Sequence, residues 1–311
     1  MKIVTLTMNP VLDKNTNAKL VVPEKKIRCK TPSYAPGGGG INVSRAIKKL
    51  GSNSVAIFLA GGNNGKSMAK LLDEESIQHE QIDSGVDVRE NLMVLDETTN
   101  NQYRFGMPGH EVDEKYWKNV LTSIKNIQPK PAYLVASGSL PPGVPDDFYA
   151  RLAQFAKQND IRMVLDASGA SLKLALEEGV YLIKPNLREM AGLLEKDVLT
   201  GMEQEEAAKK FLKNNFCEVL LLSLGARGAM VASNADVISY IVPPTMPVIS
   251  TVGAGDSMVA GMVKGLTKGL STHQAARYGV SAGTAAAMTP GSELCRKVDT
   301  EKIYDWIKPD L

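Results

Sequence analysis

Cysteine is scarce in this chain of 311 residues: there are three, Cys29, Cys217 and Cys295, far apart and in no Cys-x-x-Cys pair. Their number and spacing exclude a disulfide framework, spell no zinc site, and predict a reduced, cytoplasmic protein. Histidine is equally sparse. His79, His110 and His273 lack metal-ligand spacing and are expected on the surface or in loops. No apolar run approaches the roughly 18 residues of a membrane span. The N-terminus enters a strand pattern directly, without the basic region and long apolar core expected of a signal peptide. An excess of one charge is missing as well: 36 Lys and Arg against 34 Asp and Glu leave +2. That balance argues against nucleic acid or an anionic membrane as a partner, so any positive potential must be local. What is present, 43% apolar and 23% charged residues, is the composition of a soluble globular protein with a large core.

Periodicity organises that core. Lys2 to Met8 is β-branched and apolar, a buried-strand pattern that Asn9 and Pro10 break. Asp13 then falls at a strand's C-terminal end, where open α/β sheets bind ligands, although a turn aspartate suits the same place. Residues 14 to 35 are polar and strand-like. Val43, Ala46, Ile47 and Leu50 keep helical spacing and stop at Gly51. Ser54 to Ala60 reads as a strand, Gly65 to Leu72 as a helix and Ile77 to Ile82 as a strand. Segments 91–97 and 102–107 flank Thr-Thr-Asn-Asn as a hairpin. From Tyr116 the chain alternates regularly: helix to Ile127, strand Ala132 to Ala136, helix Phe148 to Gln158, strand Arg162 to Asp166. Further strands follow at 181–186, 219–224 and 237–242. Alternation of this kind implies parallel crossover units. The expected fold class is α/β, a doubly wound, mostly parallel sheet with helices on both faces, forming one domain over 1–311.

Several stretches carry chemistry. Ser250-Thr251-Val252-Gly253-Ala254-Gly255-Asp256-Ser257 is a glycine turn opening into a helix. The first turn of a helix has unpaired N–H groups and the positive end of the dipole, so it attracts phosphate. Asp256 at that mouth suits a general base, and it equally suits an N-cap. Gly37 to Gly40 lacks the Gly-x-Gly-x-x-Gly spacing of a dinucleotide fingerprint. At Gly38 and Gly39 it offers bare backbone to a polyhydroxylated ligand, and Asn42 adds a donor and an acceptor. Lys26 and Arg28 could share one side of a strand, or belong to a solvated charge run. Asn186 with Glu189 three residues later reads as a capping box. The small residues from Gly279 to Ala287, Gly283 among them, admit either a flat ligand such as adenine or a close helix.

Thr251-Val-Gly-Ala-Gly-Asp-Ser257 and Gly37-Gly-Gly-Gly-Ile-Asn-Val-Ser-Arg-Ala46, in this order and over 200 residues apart, resemble the two signatures of the ribokinase/PfkB family of sugar kinases. The similarity runs from Ile3 to about Trp306. It implies a ribokinase-like sheet with a small β-sheet lid, here 14–35 and 88–107, of a kind that often pairs two subunits as a homodimer. It implies ATP as co-substrate, Asp256 as catalytic base and the Gly253, Ala254 and Gly255 amides as anion hole. Asp13 is then a sugar ligand, together with Gly38, Gly39 and Asn42. Lys26, Arg28, Arg89, Arg104 and Ser139 would face a substrate phosphate. Lys184, Asn186, Ser223, Gly225, Gly228, Thr251 and Gly283 would line the nucleotide. Glu189 would organise Mg²⁺ through water. Carbonyls of Ser250 and Val252, opposite Ala286, Thr289 and Gly291, would hold K⁺, with Pro290 and Glu293 departing from the usual second loop. So many cations imply a sugar phosphate, and the Gly-Gly-Gly-Gly-Ile-Asn form points to fructose 6-phosphate. Tagatose 6-phosphate and fructose 1-phosphate are the alternatives, and a non-catalytic sugar-phosphate or nucleotide sensor is a rival of another class.

Overall fold

The computed structural model describes residues 2–234, 238–291 and 293–307. The last expected strand, 237–242, therefore has Val237 outside the described residues; Ser239–Ile241 is a strand.

The large sheet has nine strands. β1 (Ile3–Thr7) lies inside it, between β4 (Val55–Gly61) and β8 (Tyr133–Ser137), and pairs with both in parallel. Beyond β4 stands β5 (Gln78–Asp87). Beyond β8 come β9 (Arg162–Asp166), β10 (Val180–Ile183) and β11 (Cys217–Ser223), all parallel. β12 (Ala229–Ser233) and β13 (Ser239–Ile241) add an antiparallel edge. The strand order reverses direction at β1 and β8, which makes their C-terminal ends a topological switch point.

Both faces are buried, so the inner strands are almost continuously apolar. Successive residues alternate between two cores. Val4, Leu6, Leu134, Met163 and Leu165 pack on one side with α3 (Glu114–Asn126), α4 (Phe148–Gln158), α5 (Gly169–Glu178) and α7 (Gly201–Lys213). Ile3, Val135, Val164 and Leu182 pack on the other with α1 (Gly39–Lys49), α8 (Ala254–Thr267), α9 (Thr272–Ala287) and α10 (Lys297–Trp306). α2 (Gly62–Glu74) covers β4 through Met68 and Leu72, and α6 (Leu187–Leu193) follows β10.

A second sheet of four strands has the order β3-β2-β6-β7, formed by β2 (Val11–Ala18), β3 (Ser33–Gly37), β6 (Arg89–Asp96) and β7 (Gln102–Phe105). It begins at Val11, three residues before the expected lid, because Pro10 interrupts the chain only briefly. Asp13 is thus the third residue of β2 and not the end of β1. The segment 19–32 is irregular apart from a bridge at Cys29. Lys26 and Arg28 stand exposed there, and the strand alternation expected for them is not formed. Among the described residues no helix is long and apolar enough to cross a membrane.

Candidate active site

α1 starts directly on the switch point. A Cβ on Gly39 would overlap the Ser137 hydroxyl at the end of β8, and one on Gly40 would overlap the Leu6 carbonyl near the end of β1. Glycine is required here by close backbone approach. Gly38, at φ 112°, turns the chain from β3 into the helix, a conformation L side chains avoid. The Ile41 amide donates to Thr7 Oγ1 at 2.8 Å, which fixes the helix start on β1.

Around this start gather several of the expected sugar-side residues. Asp13 reaches in from β2 through space that a Cβ on Gly37 would fill, and accepts from Asn91 Nδ2 at 3.3 Å. Burial raises its pKa, and the Asn91 bond, Arg89 and Arg45 only partly offset that. Arg89 donates to the Met107 carbonyl at 3.0 Å and the Asn9 carbonyl at 3.3 Å. Its buried Nε has no partner among the described residues. Asn9 in turn donates to Ser139 Oγ at 3.2 Å. Asp13, Arg89 and Ser139 therefore belong to one connected group. Arg104 is exposed on β7 and bonds Gln102 Oε1 at 3.0 Å.

The side expected to take phosphate is built by α8. Gly253, at φ 71°, is the N-cap, so Asp256 sits at the third helical position and makes no capping bond. The cap alternative for Asp256 is thereby excluded. Its Oδ2 accepts instead from Asn42 Nδ2 at 2.9 Å, joining α8 to α1, while the buried Asn42 Oδ1 has no partner among the described residues. Burial, and then repulsion from Asp166, push the Asp256 pKa up to about 6 against the pull of Asn42 and Lys184. A carboxylate poised near neutrality is what proton abstraction from a hydroxyl needs. Lys184, buried after β10, pairs with Asp166 at 3.1 Å. Its ammonium lies against Gly255, where an added Cβ would stand 3.4 Å from Nζ. Burial opposes its charge, yet Asp166, with help from Glu189 and Asp256, outweighs burial and raises its pKa.

Asn186 and Glu189 do form a reciprocal capping box at the start of α6, with both bonds at 2.9 Å. Glu189 is also raised in pKa, first by burial and then by Asp166 repulsion. Asp166 thus raises the cost of ionising both Glu189 and Asp256 beside one lysine, a surplus of carboxylate that suits a divalent cation. No three His, Cys, Asp or Glu converge as a direct metal cage among the described residues.

Beside α8 opens a cavity of about 400 Å³. Ser223, Gly225, Gly228, Thr251 and Gly283 all line it, as do the segment 243–248 and Met258, Val280 and Thr284. On the small face of α9, Gly279 packs against Met262 as expected of a close helix, and Gly283 borders the cavity. A larger cavity, about 650 Å³, opens at the N-terminal ends of β9 to β11 beside Arg162 and Tyr181. Ligands of open sheets bind at the other end.

The two loops expected to hold K⁺ lie side by side, since the amides of Ile249 and Ser250 both donate to the Ala287 carbonyl, at 2.8 and 3.2 Å. The Thr289 hydroxyl is shared between the Ala286 and Leu294 carbonyls, Val252 N–H bonds Ser250 Oγ, and Gly291 (φ 55°) touches Met93 of β6. Glu293 pairs with Arg296 at 2.7 Å.

Three residues and one segment of the site carry no role in the sequence analysis. Asp166 has no motif around it. Asn9 and Asn91 carry no signal beyond their polarity. The wall at 243–248 has a readable mark in Pro243, Pro244 and Pro247, which keep the chain out of regular structure.

Phosphoryl transfer demands positioning and fixed charge from a protein more than covalent chemistry. A carboxylate near neutrality, helix amides and a lysine converging at the mouth of a cavity meet that demand, and the class is a small-molecule kinase. The chain matches the model of the pfkB family carbohydrate kinases over residues 6–299 and belongs to that family. It is 38% identical to the ATP-dependent 6-phosphofructokinase isozyme 2 of Escherichia coli over 99% of each chain. The crystal structure of E. coli phosphofructokinase-2 with potassium matches at TM-score 0.95 and 38% identity, over 98% of this chain and 99% of that one. The E. coli structure with fructose-6-phosphate matches at TM-score 0.92 and 37% identity, with the same coverage.

Proposed function

We propose that this protein transfers the γ-phosphoryl group of ATP to fructose 6-phosphate, giving fructose 1,6-bisphosphate. The observation that carries the reading is the Asn42–Asp256 bond, which sets a carboxylate of raised pKa between the glycine-opened start of α1 and the first amides of α8. Asp256 takes the proton from the attacking hydroxyl. The amides of Gly253, Ala254 and Gly255 and the Lys184 ammonium take up charge on the transferring group. Asp13, Gly38, Gly39 and Asn42 hold the sugar, and Arg89, Ser139, Arg104, Lys26 and Arg28 serve its phosphate. The 400 Å³ cavity takes the nucleoside, with Asn186 and Glu189 holding Mg²⁺ through water. Mg²⁺, when bound, would supply positive charge that offsets the charge on the transferring group. K⁺ between the 250–252 and 286–291 carbonyls would brace the anion hole from behind. Apolar residues exposed on the second sheet, Tyr34 and Phe105 among them, support a homodimer paired through that sheet. The scarcity of cysteine supports a cytoplasmic enzyme.

The test is ADP release coupled to a panel of fructose 6-phosphate, fructose 1-phosphate, tagatose 6-phosphate and unphosphorylated fructose. Fructose 6-phosphate should give the highest kcat/KM. A different preferred acceptor overturns the substrate, and nucleotide binding without turnover on any acceptor overturns the enzyme.

A further inference from the structure

α1 and α8 run side by side and are bonded at both ends. At their N-terminal ends Asn42 bonds Asp256; eight residues further along each helix, Lys264 Nζ donates to the carbonyl of Leu50, the C-cap of α1. Each pair spans the same sequence separation, 214 residues, so the helices are parallel and in register over about 12 Å of axis. Lys264 is 2% exposed and also donates to the Tyr278 hydroxyl of α9 at 2.8 Å. Gly261 and Gly265 bring α9 close enough for that bond, since a Cβ on either would press on its backbone. Among the described residues no carboxylate forms an ion pair with the lysine, and burial, with Lys268 adding repulsion, outweighs the more distant attraction of Glu301 and pushes its pKa down to about 8. A buried ammonium is a costly device. What it secures here is the free carbonyl end of α1, where an ammonium also complements the helix dipole.

We propose that Lys264 is a positioning residue for phosphoryl transfer, fixing α1 against α8 and so the distance from the acceptor hydroxyl to the phosphate. The inference rests on the function proposed above. One helix start presents the acceptor and the other the anion hole, so a slide between them changes the reacting distance without altering either binding surface. Misplacement by about 1 Å can cost on the order of 10² in rate.

Sugar-free ATP hydrolysis separates this role from a general loss of stability, because water replaces the acceptor and no sugar has to be presented by α1. Wild type, Lys264→Met and Tyr278→Phe are assayed for fructose 1,6-bisphosphate formation and for ATP hydrolysis without sugar. Lys264→Met should lower kcat for transfer by about 10- to 100-fold while hydrolysis and the KM for ATP stay within about twofold. Tyr278→Phe, which keeps the ring and removes one anchor of the lysine, should show the same split at roughly two- to fivefold. Parallel loss of both activities, or unchanged transfer, overturns the proposal. Should Lys264→Met fail to fold, Tyr278→Phe decides alone. A wild type inactive on fructose 6-phosphate overturns the functional reading itself, and this inference with it.

Discussion

Asp256→Asn is the sharpest perturbation of the site, because it has opposite consequences for catalysis and stability. Asparagine keeps the shape and can still accept from Asn42 Nδ2, but it cannot take a proton. Turnover should fall by at least about 10²-fold, the usual contribution of a general base, with ATP binding retained. The stability effect follows from the raised pKa, about 6 against an ordinary 3.8. Between those values the native state keeps a proton that the unfolded chain has released, so stability declines as pH rises through the window. Above about pH 6 the full cost of the buried charge is present. Two units correspond to about 3 kcal/mol at most, and relaxation of the site lowers this to roughly 1–3 kcal/mol. The variant should therefore melt a few degrees higher than wild type at pH 7.5, with the gain shrinking toward pH 4. Wild-type kcat/KM should fall along an acid limb centred near pH 6. Thermal melts at the two pH values and a pH–rate profile check both halves. Near-normal turnover in Asp256→Asn refutes the base, and equal melting temperatures at pH 7.5 refute the electrostatic account.

Other parts of the site give independent expectations. Arg89→Ala should raise the KM for fructose 6-phosphate about 10- to 100-fold and leave that for ATP nearly unchanged, the cost of a lost charge-assisted bond; steady-state kinetics with fructose as a control would reveal an equal loss on both if the arginine has another role. Gly283→Val places branches where even a Cβ meets the Ala254 carbonyl at 3.0 Å and Met258 at 3.3 Å, so the KM for ATP should rise with little change for the sugar. KCl should activate turnover at constant ionic strength because Arg296 neutralises Glu293 and the loops remain adjacent; a flat response removes the cation site.

The large sheet was readable because its strands are buried on both faces and carry unbroken β-branched and apolar runs, as in Ile3–Thr7 and Val219–Leu222. Helices α5, α7 and α10 have no counterpart among the elements expected from the sequence. α7 has a legible start in its Thr200 and Glu203 capping box, whereas α5 begins without a side-chain cap or an acidic first turn. The irregular run around Lys26 misled because alternation means nothing without an apolar side to bury, and Pro23 with Glu24 at φ 56° bends the chain there. Motifs located both helix starts of the site. They could not reveal Asp166, whose effect on Lys184 and Asp256 comes from the fold bringing strand ends together.

The reversal of strand order at β1 and β8 also divides the site along time. Residues proposed for the sugar and its phosphate end at Ser139, while those proposed for ATP and the transferring group begin at Lys184. An emerging chain therefore shows its acceptor half first, yet α1 shares its core with α8 and α9, so the site closes only when the last third of the chain docks on it.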